Sequence, residues 1–99
     1  MPSYKLSKKA VGDVNQIYLY GAEHFGEPQA DSYHSELAVC FLSLALQPRM
    51  GREKTTPRQK LRVFFHRSHV IAYHTSGSEV LILRVLGSRQ NWQQILDGE

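Results

Sequence analysis

Glu79-Val80-Leu81-Ile82-Leu83-Arg84-Val85-Leu86-Gly87-Ser88-Arg89-Gln90-Asn91-Trp92 is the stretch whose reading decides the fold. Its first half is a short, β-branched, almost unbroken apolar run, the pattern of a strand covered on both faces. Gly87 ends that pattern, and a polar, basic tail with one large aromatic follows. Side chains alternate across a strand, so Leu81, Leu83 and Val85 share one wholly apolar face. Val80, Ile82, Arg84 and Leu86 share the other. The first face is expected to meet helices. The second face, apolar but carrying an arginine, is expected to lie under a partner, the N-terminal strand or the C-terminal tail through Trp92 and Ile95.

The strands before it are set off by tight turns. Leu61–His66 and His69–Thr75 are extended patterns separated by Arg67-Ser68, and Ser76-Gly77-Ser78 leads into Glu79, so the three runs form a meander. Gln47–Gln59 contains Pro48, Gly51 and Pro57 among basic residues and reads as an exposed loop.

Two helices precede the loop. Ser7 is placed to cap the first, in which Val11, Val14, Ile17, Tyr18 and Phe25 recur at helical spacing. Gly12 and Gly21 sit within it as positions for close backbone packing, and Gly26 ends it. Glu27-Pro28 opens the second, with a stripe of Ala30, Tyr33, Leu37, Cys40, Phe41 and Leu44, and Pro48 stops it. A connection this tight predicts an antiparallel hairpin. Tyr4-Lys5-Leu6 is expected as a short first strand. The expected architecture is α+β, in the order β-α-α-β-β-β, with the hairpin packed on an antiparallel sheet of three to four strands. Residues 1–99 are expected to form a single domain, long enough to bury roughly two thirds of its unfolded surface without disulfides.

Composition narrows the partners. The net charge of +3 conceals an asymmetry. Ala10–Leu46 holds five carboxylates and no Lys or Arg, whereas Arg49–Arg67 holds seven cations against Glu53 alone. Such a block favours an anionic partner, either nucleic acid or an acidic protein segment. No run is long and apolar enough to span a bilayer, the N-terminus lacks a signal-peptide core, and Cys40 is the only cysteine. A reducing cytoplasm is the expected compartment.

The chemistry-bearing residues are sparse. His66 and His69 flank a turn, but His69 and His74 point to opposite faces of one strand, and two ligands do not close a zinc site, so no metal and no cofactor is expected. Cys40 lies on an apolar helical stripe and reads as core. Arg62, His66, Tyr73 and Arg84 carry the group types that a metal-free ribonuclease needs, a base, an acid and cations for the phosphate. Strand parity divides them, with Tyr73 on the face of Ile71.

The element order, together with YKLSKKAVGDVNQIYLYGAEHFG in the first helix, QADSYHSEL opening the second, PRMGR in the loop, LRVFFHRSHVIAYH across the hairpin and LILRVLGSRQNW, resembles the RelE/ParE toxin superfamily, most closely its ParE branch. The resemblance covers nearly the whole chain. It implies the toxin of a type II toxin–antitoxin system that poisons DNA gyrase without chemistry of its own and is neutralised by a ParD-like antitoxin. The alternative it carries is a RelE-like, ribosome-dependent mRNA endoribonuclease, and a third is a relative that has lost toxicity. Arg84 matches the arginine shared in the last strand. The tail GSRQNWQQILDGE, however, has none of the Tyr, His or Lys that the ribonuclease branch places there, and Gly87 stands where that pattern often has His. No catalytic residue is therefore assigned. Arg84, Arg89 and Trp92 are expected to bind the target, because arginine and tryptophan supply area and polar reach together. Arg52, Arg58, Arg62 and Arg84 are expected to meet an acidic, amphipathic antitoxin segment.

Overall fold

The computed structural model describes residues 2–99. A short strand β1 (Ser3–Leu6) leads into helices α1 (Lys8–Phe25) and α2 (Glu27–Leu46). Strands β2 (Arg52–Thr55), β3 (Lys60–His66), β4 (His69–Ser76) and β5 (Glu79–Gly87) follow, and a last short helix α3 (Trp92–Asp97) closes the chain. The sheet order is β1-β5-β4-β3-β2, antiparallel except for the β1–β5 pair. The α+β architecture is the one the sequence announces, but the sheet has five strands instead of three or four and one parallel pair.

The hairpin forms for local reasons. Ser7 Oγ accepts from the Ala10 backbone N–H at 3.0 Å, satisfying a donor that the first turn of α1 leaves open. The same hydroxyl donates to the Leu83 carbonyl at 2.8 Å and so ties the start of α1 to β5. Gly26, at φ +93°, turns the chain between the helices in a conformation that a side chain would disfavour. The two internal glycines of α1 differ from expectation. A methyl group at Gly12 would meet nothing within 4 Å, and one at Gly21 would make only ordinary contact with Ala30 at 3.5 Å.

Two apolar clusters lie on opposite faces of the sheet. Between the sheet and the hairpin are Val14, Leu37, Phe41, Leu44, Ile71, Tyr73, Val80, Ile82 and Val85. The outer face gathers Leu61, Val63, Val70, Ala72 and Leu86 beneath Leu96 of α3, with Leu83, Trp92 and Ile95 packed against them. The C-terminal tail, through Trp92, Ile95 and Leu96, covers part of this face.

Three details depart from the sequence expectation. Val80 and Ile82, not Leu81 and Leu83, face the hairpin. Val85 joins them on that face because of a bulge in β5: Tyr73 pairs with Ile82 and Ala72 with Arg84, so Leu83 is skipped and the alternation resets before Val85. Secondly, the segment expected as loop contains β2, which pairs with β3 from Arg52↔Val63 to Thr55↔Lys60. Thirdly, Val11 and Phe25, placed on the apolar stripe of α1, are exposed.

Candidate functional site

The carboxyl end of β5 is where elements converge. Beyond Ile82 it has lost β1 as a neighbour, and side chains take over the pairing of its backbone. Asp13 of α1 accepts from Val85 N–H at 2.9 Å, and the Gln90 side-chain oxygen accepts from Gly87 N–H at 2.7 Å. Asp13 also accepts from Arg84 through Nε at 2.8 Å and Nη2 at 3.0 Å. Glu99 adds a contact at 3.4 Å, and the Asp13 hydrogen bonds hold the Arg84 guanidinium more firmly protonated than usual. Arg84 is thus engaged within the fold, its side chain only 17% exposed.

Past Gly87 the chain makes a tight turn, with Gln90 N–H donating to Gly87 O and Trp92 N–H to Gln90 O. Arg89 is exposed in this turn and forms no ion pair among the described residues. Asp97 of α3 pairs with Lys54 at 3.6 Å. Trp92 is half-buried, edge-on to Phe65 with ring centroids 5.4 Å apart and an interplanar angle of 84°. The Arg52 guanidinium carbon lies 5.9 Å from the centre of the same Phe65 ring.

Arg58 is exposed in the β2–β3 turn. Arg62 points inward and donates to the Gly51 carbonyl at 2.7 Å. That carbonyl belongs to a latch on the fully buried Tyr73, whose hydroxyl accepts from Gly51 N–H at 2.9 Å and donates to Pro48 O at 2.8 Å. Glycine is required at position 51, since a Cβ there would stand 2.6 Å from the Tyr73 oxygen. The latch fixes the path of the basic segment.

The four groups weighed for ribonuclease chemistry do not gather at one point. Tyr73 is sealed in the core, its ionisation pushed up by burial. Arg62 holds Gly51, Arg84 holds Asp13, and His66 faces Glu36 at the far end of β3.

A cluster that the sequence reading did not single out stands at the β3–β4 turn. Tyr33 of α2 hydrogen-bonds His69 Nδ1 at 2.7 Å, and burial, reinforced by the Glu36 carboxylate, pushes its hydroxyl up to about 12. Burial, with His66 nearby, lowers the basicity of His69. Glu36 takes a two-pronged contact from Arg67 at 2.7 and 2.8 Å, which holds its carboxyl below the usual range. The cluster borders an open groove of about 1150 Å³ between the hairpin and the end of the sheet, lined among others by Tyr20, Phe25, Tyr33, Arg67, Arg84 and Arg89. No three His, Cys, Asp or Glu side chains among the described residues gather as a metal site requires. No helix of these residues is long and apolar enough to cross a membrane.

Residues 4–92 match the family model described as "ParE toxin of type II toxin-antitoxin system, parDE". The chain is 35% identical over 95 residues to Toxin ParE1 of Caulobacter vibrioides, covering 92% of this chain and 94% of that protein. It is 30% identical over 80 residues to Toxin ParE3 of the same organism, covering 81% and 80% respectively. Its fold superposes with a TM-score of 0.73 on a solved chain from the "Chromosomal ParDE TA system from P. aeruginosa", over 88% of this chain and 96% of that one at 23% identity. With a family match across nearly the whole chain and relatives aligned along most of their own length, the chain belongs to the ParE family of toxins of type II toxin–antitoxin systems.

Proposed function

We propose that the protein inhibits DNA gyrase by binding, without catalysing a reaction of its own, and that a ParD-like antitoxin neutralises it. The observation that carries the target assignment is the turn after β5, which holds Arg89 exposed and without an ion pair among the described residues, three positions before the half-exposed Trp92. An unpaired guanidinium next to an accessible indole is the composition of an interface hot spot. Arg84, included with them from sequence, supports this surface from below: its pair with Asp13 fixes the strand end from which the turn departs. The scattering of Arg62, His66, Tyr73 and Arg84 favours binding over RNA cleavage, since general acid–base chemistry needs its groups within hydrogen-bond reach of one substrate.

For the antitoxin, the exposed Arg52 and Arg58 on and beside the sheet's edge strand are the charged contacts, and Arg62 and Arg84 hold the surface in shape. An acidic segment suits this surface, and its association should weaken with salt. The decisive experiment is supercoiling by purified gyrase. Wild-type protein should block it, and added antitoxin should restore it. Arg89→Ala should fold, bind antitoxin and fail to inhibit, whereas Trp92→Phe, which keeps the apolar packing, should inhibit partially. Arrest of translation with mRNA cleavage on ribosomes, and no effect on gyrase, would sink the assignment.

A further inference from the structure

The outer face of the sheet carries an arrangement that extends from Trp92 beyond the β5 turn, to Phe65 and Arg52. Arg52, Phe65 and Trp92 form a contiguous ladder of cation, ring and ring, at 5.9 Å and then 5.4 Å. Phe65 is 43% exposed. An exposed phenylalanine alone is ordinary. Here a cation stands over the ring: Arg52 forms no ion pair among the described residues, and a second, Arg89, lies in the exposed turn leading into Trp92.

The contrast with the other exposed aromatic group decides what this surface suits. Tyr20, His24 and Phe25 also stack at the tip of the hairpin. That tip carries no Lys or Arg of its own, Ala10–Leu46 holding five carboxylates, and it meets Arg67, Arg84 and Arg89 only across the groove. The outer sheet face joins rings to guanidinium groups, the pairing by which proteins hold the bases and backbone of an unpaired strand.

We propose that this face binds a single strand of nucleic acid, with a base against the exposed Phe65 ring beside Trp92 and phosphates on Arg52 and Arg89. The proposal stands whether or not the protein inhibits gyrase, and its failure leaves that reading untouched.

Trp92 is the only tryptophan in the chain, so it reports directly on its own surroundings. The experiment is a fluorescence titration of the full chain with oligothymidylate and oligouridylate octamers. Saturable quenching by either supports the proposal, and the tighter of the two identifies the preferred sugar. With two phosphates engaged at a slope of about −0.7 each, affinity should fall roughly sevenfold between 50 and 200 mM salt. Loss of one stacked base should weaken binding by roughly 5- to 150-fold, which Phe65→Leu reads with the apolar packing largely kept. Arg52→Gln, at an exposed site, should weaken binding and reduce the salt slope without touching the core. No saturable quenching with either octamer overturns the proposal, as does wild-type affinity in both variants. Tighter saturation by an oligoglutamate peptide also overturns it, marking the face as a site for an acidic protein segment.

Discussion

Removing the Asp13 carboxylate tests the reasoning at its most connected point. Asp13 accepts two hydrogen bonds from Arg84 and one from Val85 N–H, and the two charged side chains are only 15% and 17% exposed. Asp13→Ala strands a largely sheltered guanidinium with only the longer Glu99 contact and leaves a strand-edge N–H unpaired. Breaking a fully buried ion pair from one side costs about 3–5 kcal/mol. Residual exposure lets water reach the stranded groups, so the expected loss is about 2–4 kcal/mol. Asp13→Asn keeps an acceptor for Val85 and loses the charge, and should cost about 1–2 kcal/mol, since a hydrogen bond to a charged group is worth roughly twice a neutral one. Urea unfolding followed by circular dichroism measures both, with unchanged m-values showing that stability alone has moved. A double-mutant cycle with Arg84→Met should return a coupling of about 1–3 kcal/mol. A loss below about 1 kcal/mol for Asp13→Ala, or a coupling near zero, would refute the claim that this pair fastens α1 to the end of β5.

Two further outcomes follow from the packing and the titrating groups. Ile82 is wholly buried against the hairpin and Leu83 only partly buried on the outer face, so Ile82→Ala should cost about 2–5 kcal/mol in thermal or urea unfolding and Leu83→Ala clearly less; the reverse order would reject this assignment of the faces. His69 is less basic when folded than the ordinary histidine value of 6.5, so between its folded pKa and 6.5 the unfolded chain binds more protons. Its contribution to stability is full above about pH 6.5 and is lost as pH falls through the folded pKa. Glu36, held low chiefly by Arg67, adds a second loss that begins below about pH 4.5 and completes as pH falls through its lowered folded pKa. Urea midpoints measured from about pH 8 to about pH 2 should fall in that order, and His69→Gln should remove the earlier step.

The fold was legible because its signals are local or periodic. The Ser7 cap, the Gly26-Glu27-Pro28 connection and the Arg67-Ser68 and Ser76–Ser78 turns each act within a few residues, and each lies where the structure breaks its elements. The faces of β5 were not legible, because alternation holds only along an unbroken strand. The bulge opposite Ala72 and Tyr73 depends on how β4 pairs with β5, which no window of β5 residues records. Strand β2 escaped for a related reason. Arg52-Glu53-Lys54-Thr55 has no apolar alternation, and it becomes a strand by pairing with β3 while the Tyr73 latch fixes Gly51 just before it.

The candidate surfaces follow the same division. Residue type alone marked Arg52, Arg58, Arg89 and Trp92 as reaching outward, and an arginine without a nearby acid in the fold does remain available. It marked Arg62 and Arg84 equally, and the fold gives each an acceptor of its own, the Gly51 carbonyl, 11 residues away, and Asp13, 71 residues away. A sequence cannot show that a charge is already answered at such separations. Phe65 was hidden by the opposite effect: within an apolar run it reads as one more core residue, and only the outward alternation of β3, with Phe64 turned toward the hairpin, leaves it beside Arg52 and Trp92. Arg52, Arg58 and Arg89, which form no ion pair among the described residues, and the exposed ring of Phe65 lie on or beside the outer sheet face and in the turn after β5. The sheltered arginines, by holding Gly51 and Asp13, keep that surface in place.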